Sequence, residues 1–111
     1  LRAKFLECLA PSFGMGMKAS ELFLMGLFSV LNIILSMPME EALNKVNVSK
    51  DIREALLSCK GEFADIYGFM TAYENADWQE VSRMQILKNI DSDAVFKAYI
   101  EAVCWYKEMF F

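Results

Sequence analysis

Apolar residues recur along this chain at intervals of three and four, the spacing of one helical face. Leu1, Phe5, Cys8 and Leu9 fall at i, i+4, i+7 and i+8 and predict a first helix. Pro11 and the stretch Gly14–Met15–Gly16 then break the chain. Ser20 is suited to cap a second helix, with Glu21 in its first turn. From Leu22 to Met39 the sequence reads LFLMGLFSVLNIILSMPM, free of charge, between Glu21 and Glu40. A helix that is apolar nearly all round should be covered on several sides. We therefore expect this segment to be the buried hub of the fold, with Phe28 and Leu31 at its centre. Gly26 inside it costs about 1 kcal/mol against Ala, a cost that close approach of another helix would offset.

Further helices follow from the same periodicity. Pro38 suits the first position of a short third helix, with Glu40 and Glu41 in its first turn and Asn47 ending it. Ser49 caps a fourth helix, whose face is Ile52, Ala55, Leu56 and Cys59 and which Gly61 terminates. Phe63, Ile66, Tyr67 and Met70 mark a fifth helix. Asp77 with Glu80 resembles a capping box and opens a sixth, with Trp78, Val81, Ile86, Leu87 and Ile90 as its face. Asp91 or Ser92 caps the last helix, where Phe96, Tyr99, Val103, Tyr106 and Phe110 form an aromatic stripe. The stripe from Phe96 to Tyr106 is expected to be a core seam. Trp105, Phe110 and Phe111, near a chain end, are the candidate interface residues. No β alternation is found, and short loops imply antiparallel neighbours. The expectation is an all-α bundle of six to seven helices, a single segment over residues 1–111.

Composition narrows the function classes. Hydrophobic residues make up 56% and charged residues 23%, which excludes disorder. Eight Met and nine Phe raise the prospect of an apolar docking surface for a protein partner or a second copy. The net charge is −4, with basic residues scattered from Arg2 to Lys107, so no basic stripe for direct nucleic-acid binding exists. Leu22 to Met37 is 16 residues long before Pro38. At 1.5 Å per residue that is about 24 Å, short of a hydrocarbon core of about 30 Å, so no membrane span is expected. Cys8, Cys59 and Cys104 are an odd, widely spaced set that fits neither a disulfide framework nor a zinc motif. Reduced cysteines of this kind, with Cys8 and Cys59 on apolar faces, point to the cytoplasm. The chain begins at Leu1 without a signal-peptide pattern and is expected to be cut from a longer protein.

The sequence contains no histidine. Catalytic triads built on His and His-based metal centres are therefore absent, and Gly14 with Gly16 does not make a phosphate loop. The close carboxylate pairs, Glu40–Glu41, Glu62–Asp65, Glu74–Asp77 and Asp91–Asp93, sit where caps and solvated faces explain them. We expect no catalytic residue, no metal ligand and no cofactor. A small-molecule site between helices, lined by Tyr67, Tyr73 or Trp78, is a further candidate.

Four segments carry a resemblance. RAKFLECLA, FLMGLFSVLNIILSMPMEEAL, NVSKDIREALL and YENADW, spanning Arg2 to Trp78, resemble the C-terminal half of HDOD domains. They are most similar to those of YuxH-like bacterial signalling proteins, which carry an EAL domain ahead of the HDOD domain. The resemblance implies an HD-domain-like helical fold without the metal-binding His and Asp set. It also implies a non-catalytic, regulatory protein-interaction role beside an EAL domain similar to cyclic-di-GMP phosphodiesterases. No catalytic residue carries over. Asn32 stands where an Asp is expected, and Asn75–Ala76 where Gly-Asp-like residues are usual. An HD-type metal-dependent phosphohydrolase and a small-ligand sensor are the alternative functions.

Overall fold

A computed structural model describes residues 1–110 of the chain. Eight α-helices are found among them: α1 (Arg2–Leu9), α2 (Ala19–Phe28), α3 (Leu31–Ile34), α4 (Met39–Asn44), α5 (Lys50–Ser58), α6 (Ala64–Glu74), α7 (Trp78–Lys88) and α8 (Ser92–Phe110). Two 3-10 turns, Ala10–Phe13 and Gly16–Lys18, link α1 to α2. No strand occurs among the described residues, so the expected all-helical class is correct.

The hub is α1, not the charge-free segment. α1 packs on α2, α6 and α8, and its Phe5, Leu6 and Leu9 are fully buried. The closest approach is at Gly26. A Cβ there would lie 2.3 Å from the Ala3 Cα and 2.7 Å from the Ala3 nitrogen, so hydrogen at this position lets α1 and α2 meet backbone to backbone. The close approach expected at Gly26 is therefore present.

The long apolar helix is not continuous. α2 ends at Phe28, and α3 begins only at Leu31. Ser29 lies buried at the break, where its hydroxyl donates to the Gly26 carbonyl (2.6 Å) and accepts from Arg2 Nη1 (3.0 Å). Such back-bonding by Ser competes with the helical ladder and bends it. Ser36, at φ 53°, closes the segment in the left-handed region. Bent in this way, the segment buries Leu22, Met25 and Gly26 but turns Leu24, Leu27, Ile33 (72% exposed), Ile34 and Leu35 to water. Phe28 and Leu31, expected at the centre of the core, are half-buried at its edge. By length and composition alone Gly16–Ile34 is apolar enough to cross a membrane, a test that core helices of soluble proteins also pass.

Other expectations need correction for similar reasons. On α8 the buried residues are Val95, Ala98 and Ala102. These small side chains let α8 lie close to α1. The aromatic stripe is thereby displaced to the flanks: Phe96, Tyr106 and Phe110 are exposed, and Tyr99 and Val103 half-buried. On α7, Val81 and Met84 face the core, while Ile86 (81% exposed) and Leu87 point away. Cys59 is not on a buried face: it caps α5 in the left-handed conformation (φ 53°) and is exposed. Ser20 caps nothing, because the 3-10 turn at Gly16–Lys18 runs directly into Ala19. Ser49 and Asp77 do cap α5 and α7, accepting from the backbone N–H groups of Ile52 and Glu80 at 3.3 Å each. Glu80 does not complete a capping box; it pairs with Arg83 instead.

Candidate functional site

The N-terminal end of α1, the C-terminal end of α6, the first residue of α7 and the middle of α8 converge on a cleft of about 490 Å³. Phe5 forms part of its wall from beneath. Its ring meets Tyr73 and Tyr99 at centroid distances of 5.3 Å each, and Tyr73 meets Tyr99 at 5.4 Å. Trp78 stands edge-on to Tyr73 at 5.3 Å and 89°. Tilted and edge-to-face arrays of this kind are favourable beyond simple area burial and hold the rings in register.

The turn between α6 and α7 sets the place of Trp78. The Ala76 N–H donates to the Tyr73 carbonyl (3.2 Å) and the Asp77 N–H to the Ala72 carbonyl (2.9 Å). This is a Schellman closure, with Ala76 in the left-handed position at φ 57° that glycine normally takes. Asp77 then caps α7, and Trp78 is its first residue.

A charged edge completes the cleft. Arg2 donates through Nε and Nη2 to the two Glu74 oxygens at 3.0 and 2.7 Å, while Nη1 reaches Ser29. The fork geometry of guanidinium allows this bidentate pairing. The hydrogen bonds that Arg2 donates to Glu74 raise its pKa further. Burial, followed by the neighbouring Tyr99, raises that of Tyr73, which stays a neutral hydroxyl near pH 7.

Of the sequence-proposed aromatic liners, Tyr73 and Trp78 do line the cleft. Tyr67 does not: it is half-buried elsewhere on α6. The lining residues that sequence reasoning missed are Leu1, Arg2, Phe5, Glu74, Phe96, Tyr99 and Ile100. The Arg2–Glu74 pair joins positions 72 apart, which no local spacing signals.

The interface candidates are dispersed. Trp105 is half-buried, edge-on to Phe23 at 6.0 Å, with the Lys4 ammonium 5.6 Å from its ring centroid. Phe110 is exposed and tilts against Tyr106 at 4.9 Å. The two are five residues apart on α8, about 140° around the helix, and do not share a face. Phe111 lies outside the described residues.

The carboxylates are also apart. Glu62 bonds Lys18 at 2.8 Å, Asp65 pairs with Lys88 at 2.6 Å, Glu74 holds Arg2, and Asp91 accepts from the Asp93 N–H. Among the described residues no three Cys, Asp or Glu side chains gather as a metal site would require.

Two relatives match nearly the whole chain. The Vibrio cholerae protein named cyclic di-GMP phosphodiesterase CdgJ is 27% identical over 108 residues, 97% of this chain and 25% of that protein. The Bacillus subtilis protein YuxH, uncharacterized by name, is 25% identical over 105 residues, 95% of this chain and 25% of its own length. The chain thus spans about a quarter of the length of these relatives and is related to a cyclic-di-GMP signalling protein. No protein-family model matches it, and no solved structure does.

Proposed function

We propose that this chain is an HDOD-type, non-catalytic regulatory module of bacterial cyclic-di-GMP signalling. In the intact polypeptide it acts on an attached EAL-type phosphodiesterase domain or on a protein partner, in the cytoplasm and without contacting nucleic acid. The observation that carries this reading is the match of 97% of the chain to one quarter of a protein named as a cyclic-di-GMP phosphodiesterase. The described residues also support it, since Glu62, Asp65, Glu74 and Asp77 are engaged as ion pairs or a cap at separate places. A ligand-sensing form of the same module is favoured by the aromatic cleft. In the HD-type phosphohydrolase alternative, a metal pair would need clustered ligands.

The test is hydrolysis of cyclic di-GMP, with Mg²⁺ or Mn²⁺ present, by the 111-residue protein and by the intact gene product. The expected result is no turnover by the former. The latter should hydrolyse the dinucleotide at a rate that changes when the Arg2–Glu74 pair is removed. Metal-dependent turnover by the 111-residue protein would refute the regulatory reading.

A further inference from the structure

We propose that the cleft between α1, α6, α7 and α8 is a binding site for an uncharged, flat aromatic molecule of two or three fused rings. The proposal rests on the ligand-sensing form of the regulatory reading. Its volume of about 490 Å³ falls in the range of small-molecule sites, roughly 300–1,000 Å³.

Three observations select this chemistry. First, the wall is preformed. Phe5 is fully buried and braced by Tyr73 and Tyr99, so the site does not depend on a ligand to assemble its rings. Second, Trp78 (55% exposed), Phe96 (58%) and Ile100 (42%) stand in water around this cleft. A flat guest would cover these side chains and extend the existing ring-to-ring contacts. Third, the side-chain charges of the polar edge are balanced, and the Leu1 amine beside them has its pKa lowered by burial, which weakens the remaining positive charge. The Arg2 charge is matched by Glu74 in a two-bond pair, so an anion gains little there. Among the described residues the Tyr73 and Tyr99 hydroxyls and the Trp78 indole N–H bond no protein group, leaving them to a heteroatom at the rim of the guest.

The experiment uses naphthol and naphthoate as a neutral and an anionic probe of the same shape, followed by two-dimensional amide NMR of the purified protein near pH 7. Naphthol should shift resonances of Trp78, Phe96 and Ile100 saturably, at roughly millimolar concentration or below. Naphthoate should bind at least about threefold more weakly. Phe96→Ala removes an exposed ring, which folding tolerates, and should weaken naphthol about tenfold. Glu74→Gln leaves the Arg2 charge uncompensated and should reverse the order of the two probes. Ile86→Ala, on the outer side of α7, should change nothing. The proposal is overturned if naphthol produces no saturable shift at these residues, if Phe96→Ala binds it like the parent, or if the parent prefers naphthoate. Any of these results leaves the regulatory reading to its own hydrolysis test.

Discussion

Replacing Gly26 by Ala tests the packing at the centre of the fold. The added methyl would lie 2.3 Å from the Ala3 Cα, 2.7 Å from the Ala3 nitrogen and 3.0 Å from the Ala3 Cβ. Carbon atoms rest at about 3.5–4.0 Å, so the helices must separate locally by more than 1 Å (about the difference between these values). Two of the three obstructing atoms are backbone and cannot rotate away. Overpacking of this type costs about 1–3 kcal/mol, sometimes more, and here it strains the helix that carries Phe5, Leu6 and Leu9. The higher helix propensity of Ala returns about 1 kcal/mol of it. Because the nearest atoms are backbone, the upper part of that range, about 2–3 kcal/mol, applies, and the net expectation is a loss of about 1–2 kcal/mol, or roughly 3–10 °C in Tm for a chain of this size. Gly68 on α6 supplies the matched control, since a Cβ there meets nothing within 4 Å. Gly68→Ala should stabilise by about 0.5–1 kcal/mol through propensity alone. Urea unfolding followed by circular dichroism measures both. A Gly26→Ala protein as stable as the parent would refute the claim that α1 and α2 touch through this glycine.

The remaining expectations concern burial, the α6–α7 turn and one thiol. Leu6→Ala should cost about 2–5 kcal/mol and Ile33→Ala less than about 0.5 kcal/mol, with half-buried Leu31→Ala between them; urea midpoints decide the order. Ala76→Gly relieves a left-handed alanine and should stabilise by about 0.5–1 kcal/mol, seen as a higher unfolding midpoint. Burial, and next the Glu101 charge, push the Cys8 thiol from 9.0 up to about 11. A folded pKa above the unfolded one contributes stability below about pH 9, and that contribution is lost as pH rises through the window from 9.0 to about 11. Cys8→Ala should therefore flatten the alkaline loss of stability, and at pH 8 a thiol reagent should label exposed Cys59 and Cys104 before Cys8.

Most helices and two of the caps were legible because they are local. Ser49 and Asp77 are read from a few neighbouring residues, and both caps exist. The helical class followed from the same periodicity. What could not be read was which apolar face wins the interior. Leu24, Leu27, Ile33, Ile34, Leu35 and Phe96 are more hydrophobic than Ala3, Ala98 or Ala102, yet the alanines are buried and these are not. Close approach of helices rewards small side chains, and periodicity does not weigh that term. The bend at Ser29 needed Arg2 from another helix, and the cleft needed Glu74 to meet Arg2 across the chain. Tyr73 and Trp78 were reachable as aromatics near a turn; their charged partners carried no sequence signal.

The guanidinium of Arg2 grips two parts of the molecule at once, Glu74 beside the cleft and Ser29 at the kink. One planar fork thus ties an inner chamber to an outer greasy ridge. Lysine in its place would keep the charge but lose the planar fork whose three nitrogens meet both Glu74 oxygens and the Ser29 hydroxyl separately.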